Sequence, residues 1–214
     1  MKEYFQNERK TMVNSLINKG LLKNERIIEA LLRVPREKFI PSPIRTYAYA
    51  ETRLPIYGLG QAISSPRTVV LVTEALDPRP GERVLEVGTG SGYHAALISE
   101  IVRSGGAPGH VYSIEIVPEL VEIARQNLTD AGYSDGVTVI QGDGFEGHIE
   151  KSPYDRIFST AFAPKVPKPL VDQLKINGIL VIMLQGLTAL RKLETLCVVK
   201  KVDVSNIQIE YRRL

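Results

Sequence analysis

The chain is almost without cysteine, carries little net charge and contains no long apolar run. A single cysteine, Cys197, excludes an internal disulfide and any cysteine-based zinc cluster, which suits a reducing compartment. Lys and Arg total 27 against 24 Asp and Glu, and the resulting charge of +3 is too small to point to nucleic acid. No apolar stretch approaches the ~18 residues of a membrane span. The polar opening Met1-Lys2-Glu3-Tyr4-Phe5-Gln6-Asn7-Glu8 does not read as a signal peptide. The three histidines, His94, His110 and His148, lack the spacing of metal ligands, so no metal site is expected. Repeats and low-complexity segments are absent too. What is left is a chain of 214 residues, 43% hydrophobic, long enough to bury a core as one globular unit. The expectation is a cytoplasmic protein with neither a membrane nor a nucleic-acid partner.

The most informative stretch that is present is Val84-Leu85-Glu86-Val87-Gly88-Thr89-Gly90-Ser91-Gly92-Tyr93. Strand-forming residues run into three alternating glycines, and a helical pattern follows. A parallel sheet presents a nucleotide-like ligand in this way, because glycines allow a tight turn and a close main-chain approach. A dinucleotide fingerprint reads G-x-G-x-x-G, whereas Gly88, Gly90 and Gly92 give G-x-G-x-G. The spacing therefore favours S-adenosylmethionine in a Rossmann-like methyltransferase.

Around this stretch the pattern alternates. Strands are predicted at Arg83–Val87, His110–Glu115, Val137–Gln141, Arg156–Ser159, Gly178–Met183, Glu194–Lys200 and Asn206–Tyr211. Helices are predicted at Tyr93–Val102, Pro118–Ala131 and Lys168–Lys175. Five strands joined by helical crossovers and two joined by a short turn imply a fold class: α/β, a seven-stranded mostly parallel sheet with a C-terminal antiparallel hairpin. Upstream, residues 1–40 read as helical, with one face at Val13, Leu16 and Ile17 and another at Ile27, Ile28, Leu31 and Leu32. Residues 35–60 hold four prolines and three tyrosines and read as irregular. Ser65 then caps a helix that opens on Pro66 and stops at Pro78 and Pro80. Residues 1–76 are expected to pack over the active site of a core formed by 77–214.

In open α/β sheets a ligand sits beyond the carboxyl ends of the strands. That places the Gly88–Gly92 loop after the first strand, Glu115 at the end of the second, Asp143 after the third and Thr160 after the fourth. Glu115 suits the ribose hydroxyls and Asp143 the adenine amino group, while Thr160 lies nearest the transferred group. Each alone is weak; together they favour a ligand site. For Glu86 two readings stand level: a partner for the ligand's ammonium, or an acceptor for the loop's own amides. Ser65 is accounted for by capping, whereas Ser64 has no such duty. Cys197 falls in a late strand, which argues against a cysteine nucleophile.

Several segments, taken in order, resemble the protein-L-isoaspartate (D-aspartate) O-methyltransferase family. They are Arg33-Val34-Pro35-Arg36-Glu37-Lys38-Phe39-Ile40-Pro41, Ala50-Glu51-Thr52-Arg53-Leu54-Pro55-Ile56, Gly60-Gln61-Ala62-Ile63-Ser64, Leu85 to His94, Gly142-Asp143-Gly144, and Pro153-Tyr154-Asp155 through Gln173-Leu174. The resemblance implies methyl transfer from S-adenosylmethionine to the α-carboxylate of L-isoaspartyl residues in damaged proteins or peptides. The ester then closes to a succinimide that can reopen to aspartate. The resemblance also makes Ser64 the active-site serine and places Gln61, Ile63, Ser64, Glu86, Gly88, Thr89, Gly90, Glu115, Asp143 and Gly144 at the cofactor.

The chain departs from the family pattern in four places. Ala62 stands for a threonine, Tyr57-Gly58-Leu59-Gly60 is one residue longer, Arg67 stands for a histidine, and the tail lacks a Phe-Val-Pro-Leu segment. From the first turn of its helix Arg67 either attracts the substrate carboxylate or is simply a solvated helical arginine, the second reading slightly favoured. No general base is needed, since a carboxylate of pKa ~3.5–4 is ionised at neutral pH. The alternatives are a methyltransferase of the same fold acting on RNA or a small metabolite, a non-catalytic cofactor-binding scaffold, and a nicotinamide dehydrogenase.

Overall fold

The computed structural model describes residues 1–56, 58, 60–188 and 191–213. The insertion read at 57–60 falls partly outside them, because Tyr57 and Leu59 are not described. Among the described residues, six α-helices precede or alternate with nine strands: α1 (Lys2–Asn18), α2 (Glu25–Arg33), β1 (Leu54–Ile56), β2 (Gln61–Ile63), α3 (Pro66–Leu76), β3 (Arg83–Val87), α4 (Tyr93–Val102), β4 (His110–Glu115), α5 (Pro118–Ala131), β5 (Val137–Gln141), β6 (Tyr154–Ala163), α6 (Lys168–Asp172), β7 (Leu174–Thr188), β8 (Arg191–Lys201) and β9 (Ile207–Arg213).

Seven strands form one sheet in the order β5-β4-β3-β6-β7-β8-β9. The pairs among β5, β4, β3, β6 and β7 are parallel, and β8 runs antiparallel to both β7 and β9. The chain leaves β3 towards β4 and β5, then returns to β6 on the other side of β3. This reversal opens a crevice at the carboxyl end of β3, the usual ligand position in such sheets.

Side chains alternate across the sheet as strand geometry requires. Val84, Val111 and Phe158 join a cluster with residues of α1 to α5. Leu85, Val87 and Ile157 join the opposite cluster, with Leu170 of α6. The first cluster is continuous from Leu16 and Ile27 through Val70 to Val84, so the N-terminal helices and the sheet share one core.

Several boundaries follow from packing that periodicity cannot show. The faces of α1 and α2 are narrower than their sequence stripes, since Ile17 and Leu32 are exposed while Leu16 and Leu31 are buried. β1, inside the stretch expected to be irregular, pairs with β2 just beyond it as a small antiparallel sheet, Leu54 opposite Ile63. The first helix after Ser65 ends before its prolines, with Asp77 in the left-handed region (φ 46) donating its N–H to Thr73. The crossover from β5 to β6 is made of short 3-10 turns at Gly144–Glu146 and Ile149–Lys151. The expected helix from Lys168 stops at Asp172, because buried Gln173 turns inward to accept from His148 N and donate to Glu146 O. β6, β7 and β8 run longer than expected, as their main chains keep pairing to Ala163, Thr188 and Arg191.

Among the described residues no helix is long and apolar enough to cross a membrane, and no group of three or more His, Cys, Asp or Glu is placed to hold a metal ion. Cys197 is buried in β8, and burial pushes its thiol up to about 11.

Candidate active site

The glycine loop turns as its composition requires. Gly88, Gly90 and Gly92 have φ of +92°, +56° and +86°, values that L side chains rarely adopt. At Gly88 space is short as well: a Cβ would lie 3.2 Å from Thr160 Oγ1. That hydroxyl donates to the Gly88 carbonyl at 3.1 Å, joining the ends of β3 and β6. On the far side Gly144 is pressed against β3, where an added Cβ would be 2.5 Å from Val87 Cγ1.

Glu115, at the end of β4, is buried, and each of its oxygens accepts one main-chain amide. Its Oε2 accepts from Gly90 N at 2.9 Å and its Oε1 from Val117 N at 3.0 Å. The carboxylate therefore braces the glycine loop against the β4–α5 turn, and its remaining lone pairs can serve a ligand. Asp143 caps the turn after β5, with Oδ1 accepting from Phe145 N at 2.9 Å.

Glu86 does not accept from the loop's own amides, one of its two sequence readings. It is fully buried in β3, and it bonds Ser113 rather than a loop amide. Ser113 Oγ donates to Glu86 Oε2 at 2.5 Å, and Ser113 Oγ lies 2.6 Å from Thr89 Oγ1. The Ser113 proton is committed to Glu86, so Thr89 must be the donor in the second bond. Glu86 Oε1 has no partner. Burial pushes the Glu86 carboxyl up to about 8; the Ser113 bond opposes this, and nearby Glu115 adds to it. A carboxyl with a free oxygen in a pocket wall is a ready partner for an incoming cation.

These elements enclose a cavity of about 220 Å³. Gln61, Ile63 and Ser64 from the β1–β2 hairpin and its exit form one wall. Glu86, Gly88, Thr89 and Gly90 line it too, with Glu115 and Ile116 from the end of β4 and Asp143, Gly144 and Phe145 from the turn after β5. Thr160 lies beside the loop. All the expected cofactor residues and Ser64 thus meet in one place. Arg67 does not line it: the side chain is exposed on α3, and the Arg67 main-chain N–H donates to Glu51 Oε1 at 3.0 Å.

Tyr93, His94, Ile116 and Phe145 line the cavity without having been singled out for it in the sequence. Tyr93 and His94 follow the glycine loop directly and Phe145 follows Asp143-Gly144, so proximity to the motifs was the available signal. His94 is deeply buried, beside Phe158 with ring centroids 4.5 Å apart. Thr73 Oγ1 donates to Val69 O at 2.7 Å and lies 2.9 Å from His94 Nε2, so the ring nitrogen must carry the proton there. His94 stays neutral, its pKa lowered to about 3 by burial and by the Arg36 charge.

A match to the protein-L-isoaspartate (D-aspartate) O-methyltransferase family model runs from residue 7 to 212. The chain belongs to this family. The match extends further at both ends than the motifs alone, and it reaches into the divergent tail as far as residue 212. A curated relative from Hyperthermus butylicus, a protein-L-isoaspartate O-methyltransferase, is 53% identical over 184 residues, covering 84% of this chain and 76% of its own. A solved protein-L-isoaspartate O-methyltransferase superposes with a TM-score of 0.83 at 31% identity, over 96% of this chain and 63% of that one. A Plasmodium falciparum structure described as a protein-L-isoaspartate O-methyltransferase, in complex with S-adenosyl-L-homocysteine, gives 0.80 at 24% identity, over 96% and 94%. The fold is that of the S-adenosylmethionine-dependent methyltransferases.

Proposed function

We propose that this chain moves a methyl group from S-adenosylmethionine to the α-carboxylate of L-isoaspartyl residues in damaged proteins and peptides. The observation that carries the reading is that Ser64 and the Gly88–Gly90 loop line one cavity in a chain of this family.

The residues fit the cofactor. Glu86 offers an unpartnered buried oxygen for an ammonium, and Glu115 and Asp143 retain acceptor capacity beyond their amide bonds for ribose hydroxyls and an adenine amino group. Ile116 and Phe145 supply apolar surface beside Asp143. When bound, S-adenosylmethionine supplies a methyl group already activated by its sulfonium. The protein then has to bind, orient and exclude water, effects that in favourable cases reach ~7–11 kcal/mol. Ser64 has the task of donating a hydrogen bond that orients the substrate carboxylate. No base has to remove a proton, because the substrate carboxylate is already ionised at neutral pH. Exposed Arg67, one turn from Ser64, adds attraction for the anionic substrate. On sequence grounds the chain is assigned to the cytoplasm.

Labelled S-adenosylmethionine and paired peptides differing only in aspartyl or isoaspartyl linkage test this directly. Base-labile label on the isoaspartyl peptide alone is the expected result. Label on both peptides, or on neither while the cofactor still binds, would overturn it.

A further inference from the structure

Arg36 does not line the cavity, yet it is the bulkiest of the fully buried side chains among the described residues. Its Nε donates to the Ala48 carbonyl at 2.7 Å and its Nη2 to the Ser64 carbonyl at 2.7 Å. The guanidinium carbon lies 4.7 Å from the ring centroid of Tyr93, which does line the cavity. Nη1 has no hydrogen-bond partner. Among the described residues, both of its hydrogen bonds go to neutral carbonyls and no carboxylate pairs with it. Arg9 nearby shows the contrast, since its Nη2 lies 3.0 Å from Glu37 Oε1.

A buried cation with no carboxylate in contact is costly, with only the more distant Glu51 charge favouring it, and an aliphatic side chain would fill the space with less penalty. Burial lowers the Arg36 pKa, while an arginine still remains charged at neutral pH. The fork geometry shows what is gained. Ser64 lies between the end of β2 at Ile63 and the cap of α3 at Ser65, outside the regular pairing of both. Arg36 reaches its carbonyl from 28 residues away in sequence and holds it to Ala48. The stack on Tyr93 refers that position to the start of α4, directly behind the glycine loop.

We propose that Arg36 is a positioning residue for methyl transfer, fixing the Ser64 backbone so that the Ser64 hydroxyl meets the substrate carboxylate at the pocket. The proposal rests on the reading of Ser64 given above. Small displacements of such a group are costly to rate, up to about a hundredfold for an error near 1 Å.

A double-mutant cycle on the full chain tests it, using Arg36→Met, Ser64→Ala and the double variant. Isoaspartyl peptide and labelled S-adenosylmethionine give kcat and KM. Titration with S-adenosylhomocysteine counts competent sites, so a loss of folded protein does not register as a loss of rate. Arg36→Met is expected to lower kcat per site about tenfold or more while S-adenosylhomocysteine affinity stays within about threefold. In the Ser64→Ala background the same change should add little, because both act on one hydroxyl. Should Arg36→Met not fold, Arg36→Lys takes its place in the cycle, since one ammonium cannot reproduce the two-carbonyl fork. A kcat per site unchanged in the Arg36 variant, or effects that multiply in the double variant, would overturn the proposal. An unchanged Ser64→Ala rate would overturn the role of Ser64 and this inference with it, and a wild-type chain that labels neither peptide would overturn the activity as well.

Discussion

Glu115 Oε2 accepts the Gly90 amide at 2.9 Å, so the acid at the end of β4 is a structural member of the glycine loop as well as a ligand candidate. Val117 N holds its other oxygen at 3.0 Å. Removing the side chain releases both amides and the loop together.

Glu115→Ala is therefore expected to weaken S-adenosylhomocysteine binding by about tenfold to a hundredfold, as charge-assisted bonds are worth about 1.5–3 kcal/mol. Glu115→Gln keeps one acceptor oxygen and should fall between. Isothermal titration calorimetry suits the measurement because the chain has no tryptophan. Equal affinity in the alanine variant would show that the loop holds its shape without Glu115.

Glu86 makes stability depend on pH. Its folded pKa of about 8 lies above the ordinary 4.5, so between those values the folded state keeps a proton that the unfolded state has lost. Stability consequently falls as pH rises from about 4.5 to 8, then levels off. Glu86→Gln should flatten this slope and raise Tm at pH 8, by about 2–4 °C per kcal/mol for a chain of this size. Differential scanning calorimetry across pH checks both. A cationic group arriving beside Glu86 favours its carboxylate, so cofactor binding at neutral pH should release up to about one proton. Calorimetry in buffers of different ionisation heat would detect it.

Ser64→Ala should slow methylation at saturating cofactor while leaving cofactor affinity within about threefold. Transfer rates measured in a single turnover separate the two. Arg67→Ala belongs to a different class. It should raise peptide KM with little change in kcat, and the difference should shrink as salt is added, because an exposed charge is screened over ~10 Å at 0.1 M.

Gly144→Ala is expected to destabilise the fold by about 1–3 kcal/mol, the usual cost of overpacking. The cause is the 2.5 Å approach of the new methyl to Val87 Cγ1. Val87→Ala should recover part of the loss in the double variant, measured by urea denaturation. Additive losses would place the strain elsewhere.

How far the sequence could be read varied by residue. Local rules were sufficient for Ser65, whose Oγ accepts from Thr68 N at 3.3 Å as an N-cap, and for α5, which opens on Pro118 and closes at left-handed Gly132. They were sufficient too for the first three strands of the large sheet, which are short, apolar and bounded by turns. They failed for β1 and β2, three-residue strands with Pro55 in one of them, because such segments carry no period and exist only through each other. The length of β7 and β8 was hidden for the same reason.

The order of glycines, acids and Ser64 along the chain, with strand ends at fixed places between them, was determined by sequence alone. Those features depend on local backbone preference and on a topology that puts every such end on one edge. Tertiary structure decided what each side chain does there. Glu86 met Ser113 across two strands, Glu115 turned back to the loop amides, and Arg36 crossed 28 residues to hold Ser64. Burial then raised the pKa of Glu86 and lowered that of Arg36. Contacts of this kind depend on which surfaces exclude water together, and no spacing along a single chain encodes that.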